Sequence, residues 1–177
     1  MALRGTGKIL NFSEGLLTRT RASGKFVPMD LNEVVRGFVD FIKVLPKFKR
    51  NHIGLCLHPE IPLVQLDVDQ FQQVLLNLMN NAVESFPEAA LDLETRYDTS
   101  RRIVELSVKD NGPGIEESVR EKLLTHRVTT KPQGHGYGLP ICRKIVEDHG
   151  GSIRIESSKT TGTRFVLTFP EQQEQQA

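Results

Sequence analysis

The chain has 177 residues, of which 38% are hydrophobic and 25% charged, and its formal net charge is +1. This composition fits one soluble globular domain with a real core, and the balanced charge argues against nucleic acid or a membrane surface as a partner. No secretory signal is visible, and no apolar run approaches the roughly 20 residues of a membrane span. We therefore expect a cytoplasmic domain, whether or not a longer parent protein is anchored in a membrane.

The first third of the chain predicts short elements that precede the main motifs. They are a helix or poorly ordered terminus over 3–22, an edge strand over 26–30, a helix over 31–45 and strands over 53–57 and 63–66. Asp30 or Asn32 is placed to cap the helix over 31–45. Cys56 and Cys142 lack metal-ligand spacing, so we predict two buried free thiols in a reducing compartment.

The strongest helical pattern follows Asp67 or Asp69, either of which can cap it. Its apolar face comprises Phe71, Val74, Leu75, Leu78, Ala82 and Phe86. A second stripe carries Gln73, Asn77, Asn81 and Glu84. A solvated surface explains the first and last of these, but Asn is about 0.5–0.7 kcal/mol worse than Ala in a helix. The asparagines, with Asn80, indicate either a polar surface or amide oxygens that act as ligands, a chemistry that suits Mg²⁺ on substrate phosphates.

The remainder of the chain predicts a strand pair, a loop, and a closing helix and hairpin. These elements are strands over 91–98 and 102–109, a helix over 116–124, a mobile lid over 125–138, a helix from 139 to the glycines at 150–151, strands over 152–157 and 163–169, and a polar tail from 171. The glycine-rich run before the helix at 139 is an anion site in physical terms. Free N–H groups and the positive end of the helix dipole meet there.

The strand over 102–109 leads into a carboxylate at the rim of the expected core. Side chains alternate along a strand, so Asp110 shares a face with Val104, Leu106 and Val108. A carboxylate in that position needs donors to offset its desolvation. The segment 110–112 is compatible with a type I′ hairpin turn, whereas 113–117 indicates a helix start rather than a return strand.

Three segments stand in order along the chain: 73–85, Asp110-x-Gly112-x-Gly114, and 129–139. Together they resemble the N, G1 and G2 boxes of the GHKL ATPases. Over roughly residues 25–170 the sequence resembles the catalytic, ATP-binding domain of bacterial sensor histidine kinases, in a nitrogen-regulation-like subgroup. The resemblance implies an α/β (α+β) two-layer sandwich of the Bergerat type, with a mixed β-sheet covered on one face by three helices. Residues 1–24 would then be the end of the second dimerisation and phosphoacceptor helix, or a disordered terminus.

The resemblance also implies which residues bind the adenine of ATP. Asp110 would accept a hydrogen bond from the exocyclic amine and so select adenine over guanine. Gly112 and Gly114 would let the backbone pack on the base, Ile115 would supply an apolar face, and Thr163 would approach the base directly or through water.

For the phosphates, the resemblance implies a metal and a glycine-rich cradle. Asn81 and Asn77 would hold Mg²⁺, and Lys131, with Arg127 second, would place a cation on the β- and γ-phosphates, unless Lys131 is merely a solvated loop residue. The remaining implied contacts are Thr130, Gly134, His135, Gly136, Tyr137, Gly138 and Leu139. Asn77, Asn81, Lys131 and Gln73 are the implied catalytic residues.

Two departures from the family pattern bear on activity. Gln73 stands where many histidine kinases have Glu or His, and its amide can orient a group but cannot act as a general base. Val128 stands where the lid of the family usually has Phe. Transfer depends mostly on positioning and charge neutralisation, so the loss of a base need not be fatal.

The phosphoacceptor of the family is a histidine on a helix that precedes the ATP domain. The five histidines of this chain lack that context: His52, His58, His126, His135 and His149. We therefore expect a kinase domain that phosphorylates a histidine on a helix missing from this chain, within a homodimer whose phosphoryl group passes to the receiver domain of a response regulator.

The alternative is a degenerate module that binds nucleotide without phosphotransfer, which the presence of Gln73 keeps open. Chaperone-type and mismatch-repair-type relatives bring other spacings and long extra domains. A Rossmann dehydrogenase is disfavoured because no early strand–glycine–helix unit exists.

Overall fold

The computed structural model describes residues 25–124 and 138–172. Their elements are β1 (Val27–Met29), α1 (Leu31–Lys43), a 3₁₀ turn (Pro46–Phe48), β2 (Ile53–Cys56), β3 (Val64–Leu66), α2 (Val68–Ser85), β4 (Leu91–Asp98), β5 (Ile103–Asp110), α3 (Glu117–Leu123), α4 (Gly138–Asp148), β6 (Ser152–Ser158) and β7 (Gly162–Pro170). The predicted lid, the N-terminal segment 1–24 and the end of the tail lie outside the described residues, apart from Gly138. None of the described helices is both long and apolar enough to cross a membrane.

The described strands form a five-stranded sheet in the order β2-β4-β5-β7-β6 and a separate two-stranded sheet of β1 and β3. In the larger sheet β2 runs parallel to β4, and the other neighbours are antiparallel. The predicted mixed sheet is therefore confirmed. The strands predicted on either side of the turn at 58–62 do not pair with each other, because β3 pairs with β1 instead.

One apolar core lies between the larger sheet and α1, α2 and α4. On the sheet side it contains the inward-facing residues of the central strands, which are Leu91, Leu93, Val104, Leu106, Val108, Phe165, Leu167 and Phe169. Each of these side chains is at most 4% exposed, and full burial of a side chain this size contributes about 1.5–3 kcal/mol. Packing of helices on one face of a mixed sheet confirms the predicted α/β two-layer sandwich.

Side-chain caps fix where the first two long helices begin. The Asp30 carboxylate accepts a hydrogen bond from the backbone N–H of Asn32 at 2.8 Å, and the Asp67 carboxylate accepts one from that of Gln70 at 3.2 Å. Of the residues that the sequence left open, Asp30 and Asp67 are therefore the caps.

Several sequence-based expectations about burial are wrong. Phe86, predicted on the apolar face of α2, lies just past the helix end in an extended conformation and is 38% exposed. Cys56, predicted to be buried, lies on edge strand β2 and is exposed, whereas Cys142 is buried as predicted. Gln73, predicted on a solvated stripe, is buried at 9% exposure, because α4 packs beside α2 and covers part of that stripe. The predicted helix over 31–45 ends at Lys43.

Opposite the core, the sheet carries charged residues in cross-strand pairs. Arg154 pairs with Glu105, and Arg164 lies within 4 Å of both Glu94 and Glu156. Such half-exposed pairs contribute little stability, typically below about 1 kcal/mol each. This face is therefore the wet side of an antiparallel sheet, and the apolar side faces the helices.

Candidate functional site

Asp110 lies at the end of the central strand β5, directly opposite Thr163 of β7 and Leu91 of β4. Its Oδ1 accepts hydrogen bonds from the backbone N–H of Gly112 at 2.8 Å and from that of Thr163 at 3.4 Å. Among the described residues no hydrogen bond is made to Oδ2. The sheet therefore fixes the carboxylate through one oxygen and leaves the other as an acceptor for a ligand.

Partial burial raises the pKa of Asp110 above its ordinary value. The cause is desolvation of the carboxylate, which the two backbone N–H donors oppose only in part. A carboxylate held at this cost, without a cation paired to it in the described part of the chain, is typical of a binding site.

In the turn after Asp110, the backbone at Gly112 and Gly114 lies too close to neighbouring atoms to leave room for a side chain. A Cβ on Gly112 would lie 2.8 Å from Oδ1 of Asp110, and one on Gly114 would lie 2.2 Å from the carbonyl oxygen of Ser158. The chain then continues to α3, so the type I′ hairpin alternative is wrong. The two glycines are required because side chains there would displace either the carboxylate or the hairpin.

Replacing Gly114 with Ala should destabilise the domain by about 2 kcal/mol or more. Its φ of +74° is costly for any residue with a Cβ, and the added atom would collide with the Ser158 backbone. Gly37 in α1 is the matched control, since a Cβ there meets nothing within 4 Å, and its Ala variant should gain about 0.5–1 kcal/mol. Urea unfolding measures both, and equal stabilities of the two variants would contradict this role for Gly114.

Helix α2 lies close to this turn at one end and to the start of α4 near its middle. Near its C-terminal end, the Cβ of Phe86 would lie 3.6 Å from a Cβ on Gly112. Near its middle, the side-chain carbon Cγ of Asn77 would lie 3.9 Å from a Cβ on Gly138, the first residue of α4. In the described part of the chain, the fold therefore places α2 between the glycine turn and the N-terminus of α4.

The asparagines of α2 supply the polar groups of this junction. Asn77 and Asn81 are four residues apart and half-buried, so they lie on one side of the helix. The Nδ2 of Asn77 is buried and has no hydrogen-bond partner of normal geometry among the described residues. A buried amide without a partner costs free energy, which is typical of a group reserved for a ligand.

The neighbouring thiol does not serve as a reactive group. Burial raises the pKa of the Cys142 thiol to about 12, and the Asn77 side chain opposes this rise in part. Its Sγ lies 3.9 Å from the carbonyl oxygen of Val74, so Cys142 is a packing residue between α4 and α2.

A metal would find amide oxygens rather than a carboxylate cluster at this junction. Within residues 25–124 and 138–172, no group of three or more His, Cys, Asp or Glu side chains is placed to hold a metal ion. Asn77 and Asn81 fit Mg²⁺ in the manner expected when phosphates and water supply most ligands. The amide oxygens of Asn77 and Asn81 on one side of α2 support this fit, whereas Nδ2 of Asn77, which has no partner among the described residues, is a donor that suits a phosphate oxygen and not a cation.

The structure brings together the predicted base-binding residues and part of the phosphate-binding set. Ile115 is half-buried after the glycine turn, Thr163 is buried opposite Asp110, and Leu139 packs on the core at the start of α4. The predicted contacts that lie outside the described residues are Arg127, Thr130, Lys131, Gly134, His135, Gly136 and Tyr137.

Two residues that the sequence reading missed hold the glycine turn in place. Oγ of Ser157 accepts a hydrogen bond from the backbone N–H of Ile115 at 2.8 Å, and Oδ1 of Asn111 accepts one from that of Ala90 at 2.8 Å. Alternation along β6 was the available signal for Ser157, because it follows Ile153 and Ile155 on the inner face.

The fold and the assembled site define a nucleotide-binding domain of a known family. Residues 66–173 match the family model described as "Histidine kinase-, DNA gyrase B-, and HSP90-like ATPase". The chain belongs to this family. The matched segment contains α2, the glycine turn and α4.

Individual relatives are sensor kinases. The chain is 32% identical over 148 residues to the sensor protein TdiS of Thauera aromatica, covering 81% of this chain and 27% of that protein. The catalytic domain of histidine kinase ThkA superposes with a TM-score of 0.72 at 32% identity, covering 83% of this chain and 96% of that one. The complex of ThkA with the response regulator protein TrrA matches with a TM-score of 0.72 at 26% identity, covering 97% of this chain and 53% of that one. The chain is similar to the ATPase domain of sensor histidine kinases and spans about a quarter of the length of TdiS.

Proposed function

We propose that this domain binds Mg²⁺-ATP and transfers its γ-phosphoryl group to a histidine on a helical domain that the described residues do not include. The observation that carries the proposal is the junction of Asp110, the glycine turn and the asparagine helix. A half-buried carboxylate that would accept from a base lies there, and amides beside a helix N-terminus lie on the adjoining helix.

The base end of the proposed site is built from acceptors and close backbone. Oδ2 of Asp110, which makes no hydrogen bond with the described residues, would accept from the exocyclic amine of adenine, and Gly112 and Gly114 would let the backbone lie against the ring. Ile115 would cover one face of the ring, and Thr163 would contact its edge directly or through water. Guanine presents an oxygen where adenine has its amine, so acceptor would face acceptor.

The phosphate end of the proposed site combines Asn77, Asn81 and the start of α4. A metal held by the two amide oxygens would neutralise the charge of the triphosphate, and the α4 N-terminus would favour the same anion. Lys131 and the glycines before Gly138 are proposed as further phosphate contacts. Gln73, buried in α2, would orient the acceptor or a water but would not act as a base.

The partners of the domain are proposed from the same family. ThkA, to which this chain is similar, has been solved in complex with a response regulator protein. We infer a homodimeric parent whose phosphoacceptor helices receive the phosphoryl group, and a receiver domain that takes it onward. Use of ATP would place the domain in the cytoplasm. Assignment to a nitrogen-regulation-like subgroup stays a prediction.

Phosphotransfer is tested by adding a separately produced phosphoacceptor helix dimer of the sensor-kinase type to this chain with radiolabelled ATP and Mg²⁺. We expect acid-labile, base-stable label on the acceptor histidine, and no label on an acceptor in which that histidine is replaced by Gln. ATP binding without any label on several such acceptors would contradict transfer and leave a domain that only binds nucleotide.

A further inference from the structure

Ser157 is a branching point of hydrogen bonds between the glycine turn and the β6–β7 hairpin. Its Oγ lies 2.8 Å from the backbone nitrogen of Ile115, 3.0 Å from the carbonyl oxygen of Gly162 and 3.1 Å from Oγ1 of Thr163. The residue is half-buried and pairs in register with Thr163, which is buried and stands opposite Asp110 on the next strand.

The chemistry of these partners fixes every hydroxyl direction. A carbonyl oxygen only accepts, so the single proton of Ser157 goes to Gly162. A backbone N–H only donates, so Ile115 occupies one lone pair of the Ser157 oxygen. The remaining lone pair can meet Thr163 only if the Thr163 hydroxyl is the donor. The proton of Thr163 is therefore turned toward Ser157, and both of its lone pairs remain as acceptors.

We propose that Ser157 is a specificity-determining residue, which orients the Thr163 hydroxyl so that the pocket edge beside Asp110 offers only hydrogen-bond acceptors. This inference rests on the proposed function, because the ligand edge that such an arrangement selects is the amine of adenine. A base with an acceptor at that position meets two acceptors at once, the Asp110 carboxylate and the Thr163 oxygen. Ser157 acts through Thr163 and is a positioning residue.

The test compares the binding of two nucleotides to the same chain by calorimetry. One is ATP, and the other is 6-methoxypurine riboside 5′-triphosphate, which carries an ether oxygen in place of the amine and has no donor on that edge. In Ser157→Ala the Thr163 proton is released and can donate to the ether oxygen. We expect the preference for ATP to fall about fivefold, the scale of one hydrogen bond. Ser157→Thr keeps the hydroxyl and should keep the preference.

Ser158→Ala is the matched control for a general weakening of the hairpin. Its hydroxyl bonds only with the turn residues Thr160 and Thr161 among the described contacts, so its loss should leave the preference unchanged. An equal fall in Ser158→Ala, or an unchanged preference in Ser157→Ala, would overturn the inference.

Thr163→Val tests the hydroxyl direction without touching Ser157, and so decides the question even if Ser157→Ala fails to fold. Loss of an acceptor should weaken ATP binding about fivefold and leave the methoxy analogue unchanged or tighter. Weaker binding of the methoxy analogue would mean that Thr163 donates to the base, which overturns the inference. Failure of the unsubstituted chain to bind ATP would overturn the proposed function as well, whereas ATP binding with the wrong preferences overturns only this inference.

Discussion

Asp110→Asn should weaken ATP binding by about 100-fold or more while leaving the fold intact. The backbone N–H groups of Gly112 and Thr163 both bond to Oδ1, so an Asn side chain will keep its oxygen there and turn its NH₂ toward the ligand. That donor would face the amine of adenine, which is also a donor. A hydrogen bond to a charged group contributes about 1.5–3 kcal/mol, and a donor facing a donor adds to the loss. Calorimetric titration with Mg²⁺-ATP measures the change.

Stability measurements separate a binding effect from unfolding in this variant. Since burial raises the pKa of Asp110 in the folded state, ionisation of the carboxylate opposes folding. This penalty is full at neutral pH and disappears as the pH falls through the raised folded pKa toward the unfolded value of about 4. Asp110→Asn should therefore be as stable as the parent or more stable at pH 7. Asp92→Asn, on the exposed face of neighbouring β4, should change neither affinity nor stability. ATP affinity unchanged in Asp110→Asn would remove the adenine assignment.

Asn81→Ala should weaken binding of Mg²⁺-ATP by about tenfold or more, a cost of roughly 1.4 kcal/mol. Removal of the amide oxygen takes a ligand from the metal that the triphosphate brings. Binding of ATP in the presence of EDTA should change by less than about twofold, because the loss concerns the metal rather than the nucleotide. Titrations with and without Mg²⁺ on the same protein preparation give both values.

Asn80 provides the control on the same helix. It precedes Asn81 by one residue and so points about 100° away around α2. Asn80→Ala should leave both affinities within about twofold, and its helix propensity gain is the same as that of Asn81→Ala. If Asn81→Ala lost equal affinity for ATP with and without Mg²⁺, the metal assignment would be contradicted.

The order of elements could be predicted because the sequence carries two clear periods. Buried residues recur at helical spacing in 68–85 and at every second position in 103–110. The predicted helix and strand are confirmed there. The position of Asp110 at the rim of the core followed from the same alternation. It is confirmed by the half-buried carboxylate and its two backbone donors.

The errors occur where partners distant in sequence decide burial. Gln73 is buried because α4, which begins more than sixty residues later, packs beside α2. The residues around Gln73 in the sequence do not predict this contact. Cys56 is exposed because its register opposite Glu94 of β4 places its side chain on the charged face of the sheet, and this pairing joins segments that are distant in sequence. Alternation along β6 could place Ser157 on the inner face, but its role depends on a hydrogen bond from Ile115, 42 residues earlier, which no local pattern predicts.

The most direct test of the site is a pair of calorimetric titrations of the unsubstituted chain with ATP and with GTP, both in the presence of Mg²⁺. The triphosphate and the metal are identical in the two experiments, so a difference reports on the base alone. Because Asp110 presents an acceptor to the amine of adenine and to the oxygen of guanine, we expect GTP to bind at least about 100-fold more weakly. Equal affinities for the two nucleotides would contradict the assignment of Asp110 as the residue that reads the purine.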